Sequence, residues 1–388
     1  MRARTALALT ALAAALPASA ATAGVQVRTL HEQAGLTRQV VIGDRTVGWT
    51  RCMGAEGPTE LWTAPVGRGR PARVPRVSVP GPCEPVRLVG TFGDQVLAMI
   101  PGADGLERLV SVNRRTGVRT VVDAESAVPG GIRLVAADLD GPRLVWLREQ
   151  GTGVGATSEV VLADVRRPAG ARVIYTRSLA FGAVRTLDVW AGPNGTAVVR
   201  QVLSGALYGY GERDERALLV GIPRPLQIVR VTGGARVAAG DLSNRWFVYS
   251  VARDGDPRVR VTAYELSTGK RRLIRLARLV PAGVPATPPA VPAPRVSGDL
   301  AAWRERLRGR GGFRDRVVTI DLAKRRARTA YVLADTRGQR LFVSQPAVRG
   351  ARVALAEVRL STAYGATGGF LGDAPVGARS RIVLARVR

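Results

Sequence analysis

Few residues in this chain could perform chemistry. His31 is the only histidine, so a metal site built on several histidines is impossible, and a Ser-His-Asp arrangement would depend on this one side chain. His31 follows a predicted β-strand, and we expect it to lie in a surface loop. The sequence therefore predicts no catalytic residues, no metal site and no cofactor.

Four short motifs have simple structural interpretations. Residues 138–141 (Asp-Leu-Asp-Gly) and 254–256 (Asp-Gly-Asp) begin like calcium loops, but neither continues with the further oxygen ligands and the closing glutamate. Residues 151–155 are rich in glycine, yet a phosphate-binding loop needs a helix directly after it, and a strand is predicted there. Residues 308–313 (Arg-Gly-Arg-Gly-Gly-Phe) resemble RNA-binding segments, which is a weak match for an exported chain. We interpret the two acidic motifs as tight turns, the glycine-rich segment as a flexible hairpin and the fourth motif as a mobile loop.

The N-terminus predicts export. Arg2 and Arg4 precede an apolar stretch over residues 6–16, and small residues at 18–20 or 21–23 supply a cleavage site. The apolar stretch is shorter than the roughly twenty residues that span a bilayer. We therefore expect a signal peptide over residues 1–23 and a mature domain over residues 24–388, located in the periplasm or outside the cell. An uncleaved anchor is the alternative, and no later stretch predicts a membrane span.

The charge is strongly positive. The chain has 58 Lys+Arg and 30 Asp+Glu residues, a formal net charge of +28. Lys270 and Lys324 are the only lysines, and the arginines are spread through every segment, as expected if arginine replaces lysine on ordinary solvated positions. We expect no nucleic-acid partner. A surface that binds anionic polymers is the alternative.

Cys52 and Cys83 are the only cysteines. In an exported protein an isolated pair predicts a disulfide bond. A reduced, buried pair is the alternative.

A repeated pattern organises the chain: a turn with Gly, Asp or Asn, followed by a short β-type run that ends near an aromatic residue. The strongest copies place Trp49, Trp146 and Trp303 at the same step after the turn. Weaker copies begin near residues 93, 195, 244 and 350. This spacing of about 50 residues is the length of a four-stranded propeller blade. We expect the three tryptophans to be buried between neighbouring blades.

The two ends of the chain complement each other. Six complete four-strand sets fit between residues 38 and 332, but the segment after residue 341 supplies only three strands. Residues 25–30 have the pattern of the missing outer strand, and pairing the termini would hide exposed sheet edges. The sequence thus predicts an all-β fold: a single seven-bladed β-propeller of four-stranded blades, with an N-terminal strand that closes the last blade.

The tryptophan-bearing strand, followed by an Asp-x-x-x-Gly-like turn, resembles the repeats of TolB-type propellers of bacterial envelopes. The resemblance covers most of the chain and implies a recognition role. The Ser-Pro-Asp-Gly turn usual in that family is missing here, and no Trp-Asp ending of the WD-repeat kind occurs.

Loop length favours one face of the propeller for binding. Residues 204–216, 305–315 and 359–380 are predicted as long loops between second and third strands, and the proline-rich linker 280–294 emerges on the same face. If these loops do not bind, local packing or disorder is the alternative. The candidate binding residues are Tyr208, Tyr210, Arg213, Arg310, Phe313, Tyr364, Phe370 and Arg379.

Together these features favour an exported, monomeric, non-catalytic recognition or scaffold module whose partner is a protein or polysaccharide of the envelope. Two alternatives stay open. The first is a binder of anionic envelope polymers through the arginine-rich surface, which steep salt dependence would favour. The second is an enzyme with acidic residues at the channel mouth, which a compact cluster of carboxylates there would favour.

Overall fold

In the computed structural model the chain forms a closed ring of seven antiparallel sheets, and this confirms the seven-bladed propeller. The structure describes residues 25–52, 58–79, 86–152, 155–178, 184–203, 214–278, 291–309, 312–334, 339–361 and 378–387. Among them, no helix is long and apolar enough to cross a membrane. The signal peptide expected over residues 1–23 lies outside the described residues and stays a prediction.

In each of the first three blades, the chain runs from the innermost strand to the outermost one. Blade 1 consists of β2 (Val40–Ile42), β3 (Thr46–Cys52), β4 (Thr59–Pro65) and β5 (Ala72–Val79). Blade 2 consists of β6 (Arg87–Phe92), β7 (Gln95–Pro101), β8 (Glu107–Asn113) and β9 (Arg119–Ala124). Blade 3 consists of β10 (Arg133–Asp140), β11 (Arg143–Gln150), β12 (Thr157–Asp164) and β13 (Arg167–Ser178).

Blades 4 to 6 repeat this order. Blade 4 consists of β14 (Val184–Ala191), β15 (Ala197–Leu203), β16 (Asp214–Val220) and β17 (Leu226–Val231), with a 3-10 turn at Pro193–Gly195. Blade 5 consists of β18 (Ala235–Leu242), β19 (Trp246–Arg253), β20 (Arg258–Glu265) and β21 (Arg271–Arg278). Blade 6 consists of β22 (Arg295–Ser297), β23 (Leu300–Gly309), β24 (Gly312–Asp321) and β25 (Arg326–Ala334).

Blade 7 joins the two ends of the chain. Its innermost position is shared by β26 (Gln339–Val343) and β27 (Ala347–Arg349), which both pair with β28 (Arg352–Ser361); β29 (Arg379–Val387) and β1 (Val25–Ala34) follow outward. The strand β1 pairs with β29 over its whole length. The predicted closure is therefore confirmed, with a closing strand longer than residues 25–30.

His31 does not lie in a surface loop as expected. The strand β1 continues past an irregularity between Thr29 and His31, so the histidine remains within the sheet. Its ring stacks on Trp62 with centroids 5.2 Å apart and lies 5.8 Å from the ring of Trp49. The aromatic cluster packs the closing strand against blade 1.

The three repeat tryptophans confirm the alignment of the blades. Trp49, Trp146 and Trp303 occupy the same step of β3, β11 and β23 and are 0%, 2% and 1% exposed. The indole of Trp146 donates a hydrogen bond to Asp123 Oδ2 (2.6 Å) on the outermost strand of blade 2. The indole of Trp49 donates in the same way to Gln33 Oε1 (3.2 Å) on β1. These two indoles therefore connect blades 1 and 3 to the blades before them, whereas the indole of Trp303 donates to Glu305 Oε1 of its own strand (3.0 Å).

The ring has two unlike faces. Connections between second and third strands, and from blade to blade, emerge on what we name the loop face; the other connections form the turn face. On the loop face, long segments separate the strands at residues 204–213, 279–294 and 362–378, whereas the longest connection of the turn face is 66–71. Blade 6 differs from expectation: β23 and β24 pair as far as Gly309 and Gly312, so residues 305–315 are not a long loop.

Candidate functional site

The structure describes the position of two of the eight candidate binding residues, and their role in binding stays a prediction. Phe313 lies in β24 and Arg379 begins β29, so both occupy strand ends at the loop face rather than loops. They belong to different blades, 6 and 7. The other six lie outside the described residues: Tyr208, Tyr210, Arg213, Arg310, Tyr364 and Phe370.

Phe313 is part of a rigid strand end. The guanidinium carbon of Arg306 lies 5.5 Å from the centroid of the Phe313 ring. Asp315 holds this arginine, with its Oδ1 2.7 Å from Arg306 Nε, and it also accepts a hydrogen bond from the backbone N–H of Val343 in blade 7 (2.9 Å). The polar residues of this hairpin therefore hold β23 and β24 in register up to the tip, which explains why the predicted loop is strand instead.

Cys52 ends β3 in a buried position, 2% exposed. Its backbone forms a two-way bridge with Leu36, with N–O distances of 2.8 and 3.0 Å. Cys83 lies outside the described residues, so the disulfide stays a prediction.

A charge cluster lies in the central channel, built from residues that no sequence motif brings together. The innermost strands of blades 3, 4 and 5 place Asp138, Asp188 and Asp241 around Arg295, which begins the innermost strand of blade 6. The Arg295 guanidinium lies 3.6 Å from an oxygen of Asp241 and 3.9 Å from one of Asp138. The Arg295 side chain keeps 44% exposure, so it borders open space in the channel.

Burial in the channel changes the pKa values of these carboxylates. Burial raises the pKa of Asp241 to about 7 and that of Asp188 to about 6, although nearby arginine charge acts in the opposite direction. Burial also raises the pKa of Asp138. Burial alone would lower the pKa of Arg295, but the three carboxylates outweigh it and keep the guanidinium charged. The cluster therefore takes up protons near neutral pH.

Two of these carboxylates also join blades. Asp138 accepts a hydrogen bond from the backbone N–H of Ala191 in the next blade (2.9 Å). Asp241 accepts one from Val296, again in the next blade (2.7 Å). Each therefore uses one oxygen to fix the ring and turns the other toward Arg295. This arrangement stabilises the propeller, and no catalytic proposal follows from it, although carboxylates do converge in the channel.

A second ion-pair group crosses the channel at the turn face. Arg349 of blade 7 lies 2.6 Å from Asp44 of blade 1 and 2.9 Å from Asp140 of blade 3. The hydrogen bond from Arg349 lowers the pKa of Asp44. Asp140, at the edge of a tight hairpin turn, therefore has an arginine as its partner. Among the described residues, no three His, Cys, Asp or Glu side chains converge as metal ligands.

Comparison with known proteins shows the fold alone. No protein-family model and no curated protein matches the sequence. Among solved structures, the β-propeller domain of the Trilobed protease from Pyrococcus furiosus has a TM-score of 0.51 at 7% identity, and the match covers 84% of this chain and 90% of that one. The acylaminoacyl peptidase from Pyrococcus horikoshii has a TM-score of 0.52 at 8% identity, covering 84% and 49%.

TolB from Acinetobacter baumannii is also similar, with a TM-score of 0.45 at 12% identity; the match covers 75% of this chain and 65% of that one. This chain thus matches about two thirds of TolB and about half of the peptidase. These identities leave the TolB-type family assignment a prediction. The Pyrococcus furiosus domain is described as having an open velcro topology, whereas here β1 closes the ring against β29.

Proposed function

We propose that this chain is an exported, non-catalytic recognition module of the TolB type, and that its partner, a protein or polysaccharide of the envelope, docks on the loop face. The observation that supports this most is the asymmetry of the two faces. Binding residues are commonly carried on loops held by a rigid scaffold. A closed ring with long connections on one face and short ones on the other has that design.

The stems of the two long loops are rigid. In blade 4, Leu203 and Asp214 are directly paired where the loop leaves the sheet. The next residue, Glu215, is buried and bound to Arg200 (3.0 Å). Asp214 itself pairs with Arg230 at 3.0 Å. Removal of residues 204–213 would therefore leave a well-anchored pair of strands.

In blade 7 the stem is tied to the start of the chain. The hydroxyl of Ser380 donates a hydrogen bond to the carbonyl of Gly35 (2.8 Å) and accepts one from the backbone N–H of Thr37 (3.0 Å). Ala378 is buried, and its carbonyl accepts a hydrogen bond from the Gly35 N–H (2.8 Å). A deletion meant to test binding must therefore stop at residue 377.

The experiment compares three variants of the mature chain. Residues 204–213 and residues 362–377 are each replaced by a short Gly-Ser linker, and the exposed turn 222–224 on the opposite face is replaced in the same way as a control. Each protein is used to capture partners from envelope extracts. We expect the two loop variants to lose the partner and the control to keep it, with the melting temperature of all three close to that of the parent.

Two results would overturn the proposal. Loss of the partner in the turn-face control, with retention in both loop variants, would assign binding to the other face. Unfolding of both loop variants would show that these segments are structural. Export is tested separately, by sequencing the N-terminus of the protein recovered outside the cytoplasm, which we expect to begin directly after Ala20 or Ala23.

A further inference from the structure

Six arginines lie together where blades 7 and 1 reach the turn face. Arg45 is in the β2–β3 turn, and Arg68 and Arg70 are in the β4–β5 turn. Arg352 and Arg386 are cross-strand partners at the same end of blade 7. The sixth is on the closing strand; we name Arg28, Arg45, Arg68, Arg70, Arg352 and Arg386 the blade 7–1 arginine patch.

Direct contacts join these segments into one surface. The guanidinium of Arg28 donates to the carbonyls of Val66 and Gly67, both at 2.8 Å, and so ties the closing strand to the turn that carries Arg68. The backbone N–H of Val66 donates to the carbonyl of Arg45 (2.8 Å). Arg352 Nη1 lies 3.4 Å from the carbonyl oxygen of Asp44. The patch therefore spans the junction between the last blade and the first.

The local charge exceeds what the composition explains. In the whole chain Lys+Arg outnumber Asp+Glu by 58 to 30. In the turn-face segments 25–28, 43–46, 65–72, 348–353 and 385–387, seven arginines accompany one acidic residue, Asp44. That carboxylate is bound by Arg349 at 2.6 Å. Asp44 also lies within electrostatic reach of Arg45 and Arg352, so these segments together carry a net charge of +6.

Some arginines elsewhere on the turn face have carboxylate partners. Asp94 binds both Arg114 and Arg115 at 2.8 Å in blade 2. Glu265 binds Arg245 at 2.7 Å in blade 5.

We propose that the blade 7–1 arginine patch binds a linear, phosphate-bearing polyanion. Guanidinium groups match phosphate in a two-pronged geometry, and neighbouring arginines bind successive phosphates along a chain. The segments that carry the patch contain no aromatic residue, and Val27, 37% exposed, is their one exposed large apolar side chain. A membrane surface would call for apolar or aromatic side chains beside the arginines. This site is separate from the loop face.

The test measures binding of the mature chain to long-chain inorganic polyphosphate as a function of salt. Each contacted phosphate contributes about −0.7 to the slope of log K against log salt for a single-stranded polymer. The Arg68→Ala/Arg70→Ala variant should therefore bind roughly tenfold more weakly at 150 mM salt, with a slope smaller in magnitude by about 1.4. Arg45→Gln should weaken binding through a different segment, which covers the case in which the double variant misfolds.

The matched control is Arg177→Ala/Arg185→Ala, which removes the same charge from two exposed arginines at the loop-face end of blades 3 and 4. We expect it to bind polyphosphate like the parent, as should the deletion of residues 204–213. Equal weakening by the control and the patch variant would show attraction by net charge and overturn the proposal. Binding to vesicles of anionic phospholipid but not to polyphosphate would also overturn it.

Discussion

Glu357 joins blades 6 and 7 beside the seam at which the ring closes. Its side chain is fully buried and accepts hydrogen bonds from Tyr331 Oη (2.5 Å) of blade 6, Arg359 Nε (2.8 Å) and Arg381 Nε (3.0 Å). Burial alone would raise its pKa, but the hydrogen bonds and the arginine charges outweigh burial and lower it. Glu357 is therefore an anion at neutral pH, and we choose Glu357→Gln as the perturbation.

The variant leaves two arginines facing a neutral amide. Removing one partner of a buried ion pair costs about 3–5 kcal/mol. Arg359 and Arg381 each keep 17% side-chain exposure, so water compensates part of the loss, and we expect the lower end, about 3 kcal/mol. Tyr331→Phe removes the hydrogen bond that the hydroxyl donates to Glu357 and the one that it accepts from Arg381 Nη2 (3.0 Å). It should cost at least the value for one hydrogen bond to a charged group, about 1.5–3 kcal/mol. Free energies of unfolding are measured by urea titration, followed by tryptophan fluorescence.

The pH dependence of this stability difference tests whether the charge of Glu357 causes it. Because folding lowers the pKa of Glu357, its contribution is present above the unfolded value of about 4.3 and is lost as the pH falls through the folded value. The difference between the parent and Glu357→Gln should therefore be full at pH 7 and shrink as the pH is lowered below about 4. An equal difference at pH 7 and pH 3, or a loss below about 1 kcal/mol at pH 7, would refute the electrostatic reasoning.

Two further predictions concern the channel and the cysteines. Because burial raises the pKa of Asp241 to about 7, the folded state binds more protons than the unfolded state between about pH 4 and 7, and stability falls as the pH rises through that window. As the pH rises from 5 to 8, the melting temperature of Asp241→Asn should therefore increase relative to that of the parent. Parallel profiles of melting temperature against pH would contradict this. Cys52→Ser should lose roughly 3–4 kcal/mol of stability if the cysteines are bonded, and two titratable thiols in the folded parent would disprove the bond.

The fold could be predicted because its strongest signals are local. The turn before Trp49, Trp146 and Trp303 sets the start of a buried second strand, and these three large buried rings make their copies of the repeat easy to recognise. The closing strand could be predicted because an incomplete last repeat would leave an unpaired sheet edge. Both arguments need only the spacing and the alternation of residues.

The loop predicted over residues 305–315 is wrong because the charges of this segment pair across two adjacent strands. Residues 305–315 are rich in charge and glycine, which in a single sequence is typical of a loop. In the sheet, Arg306 faces Asp315 and Glu305 faces Arg316 on adjacent strands, so each charge has a partner. Cross-strand ion pairs can hold a polar segment in a strand, and this pairing is visible only once the register is known.

The channel cluster could not be predicted for a related reason, because its members are far apart in the sequence. Asp138 was interpreted as part of a turn motif, while Asp188 and Asp241 were not singled out. A signal was present: Asp138 and Asp241 each lie in the first strand of a blade and are each followed by leucine. The meeting of these side chains with Arg295 depends on ring closure, which places residues far apart in the chain around one axis.

The repeats are weak in sequence although the blades are regular in structure. The contacts between neighbouring blades show how both can hold. The outermost strand of one blade contacts the second strand of the next through chemically different pairs. The pairs are Gln33 with Trp49, Asp123 with Trp146, Tyr175 with Gln201, Arg275 with Glu305, and Tyr331 with Glu357. One geometric task, satisfying a buried polar group at each seam, is met by five combinations of residues. The sequences of the blades can therefore differ at these five seams while one requirement, a partner for a buried polar group, is met at each.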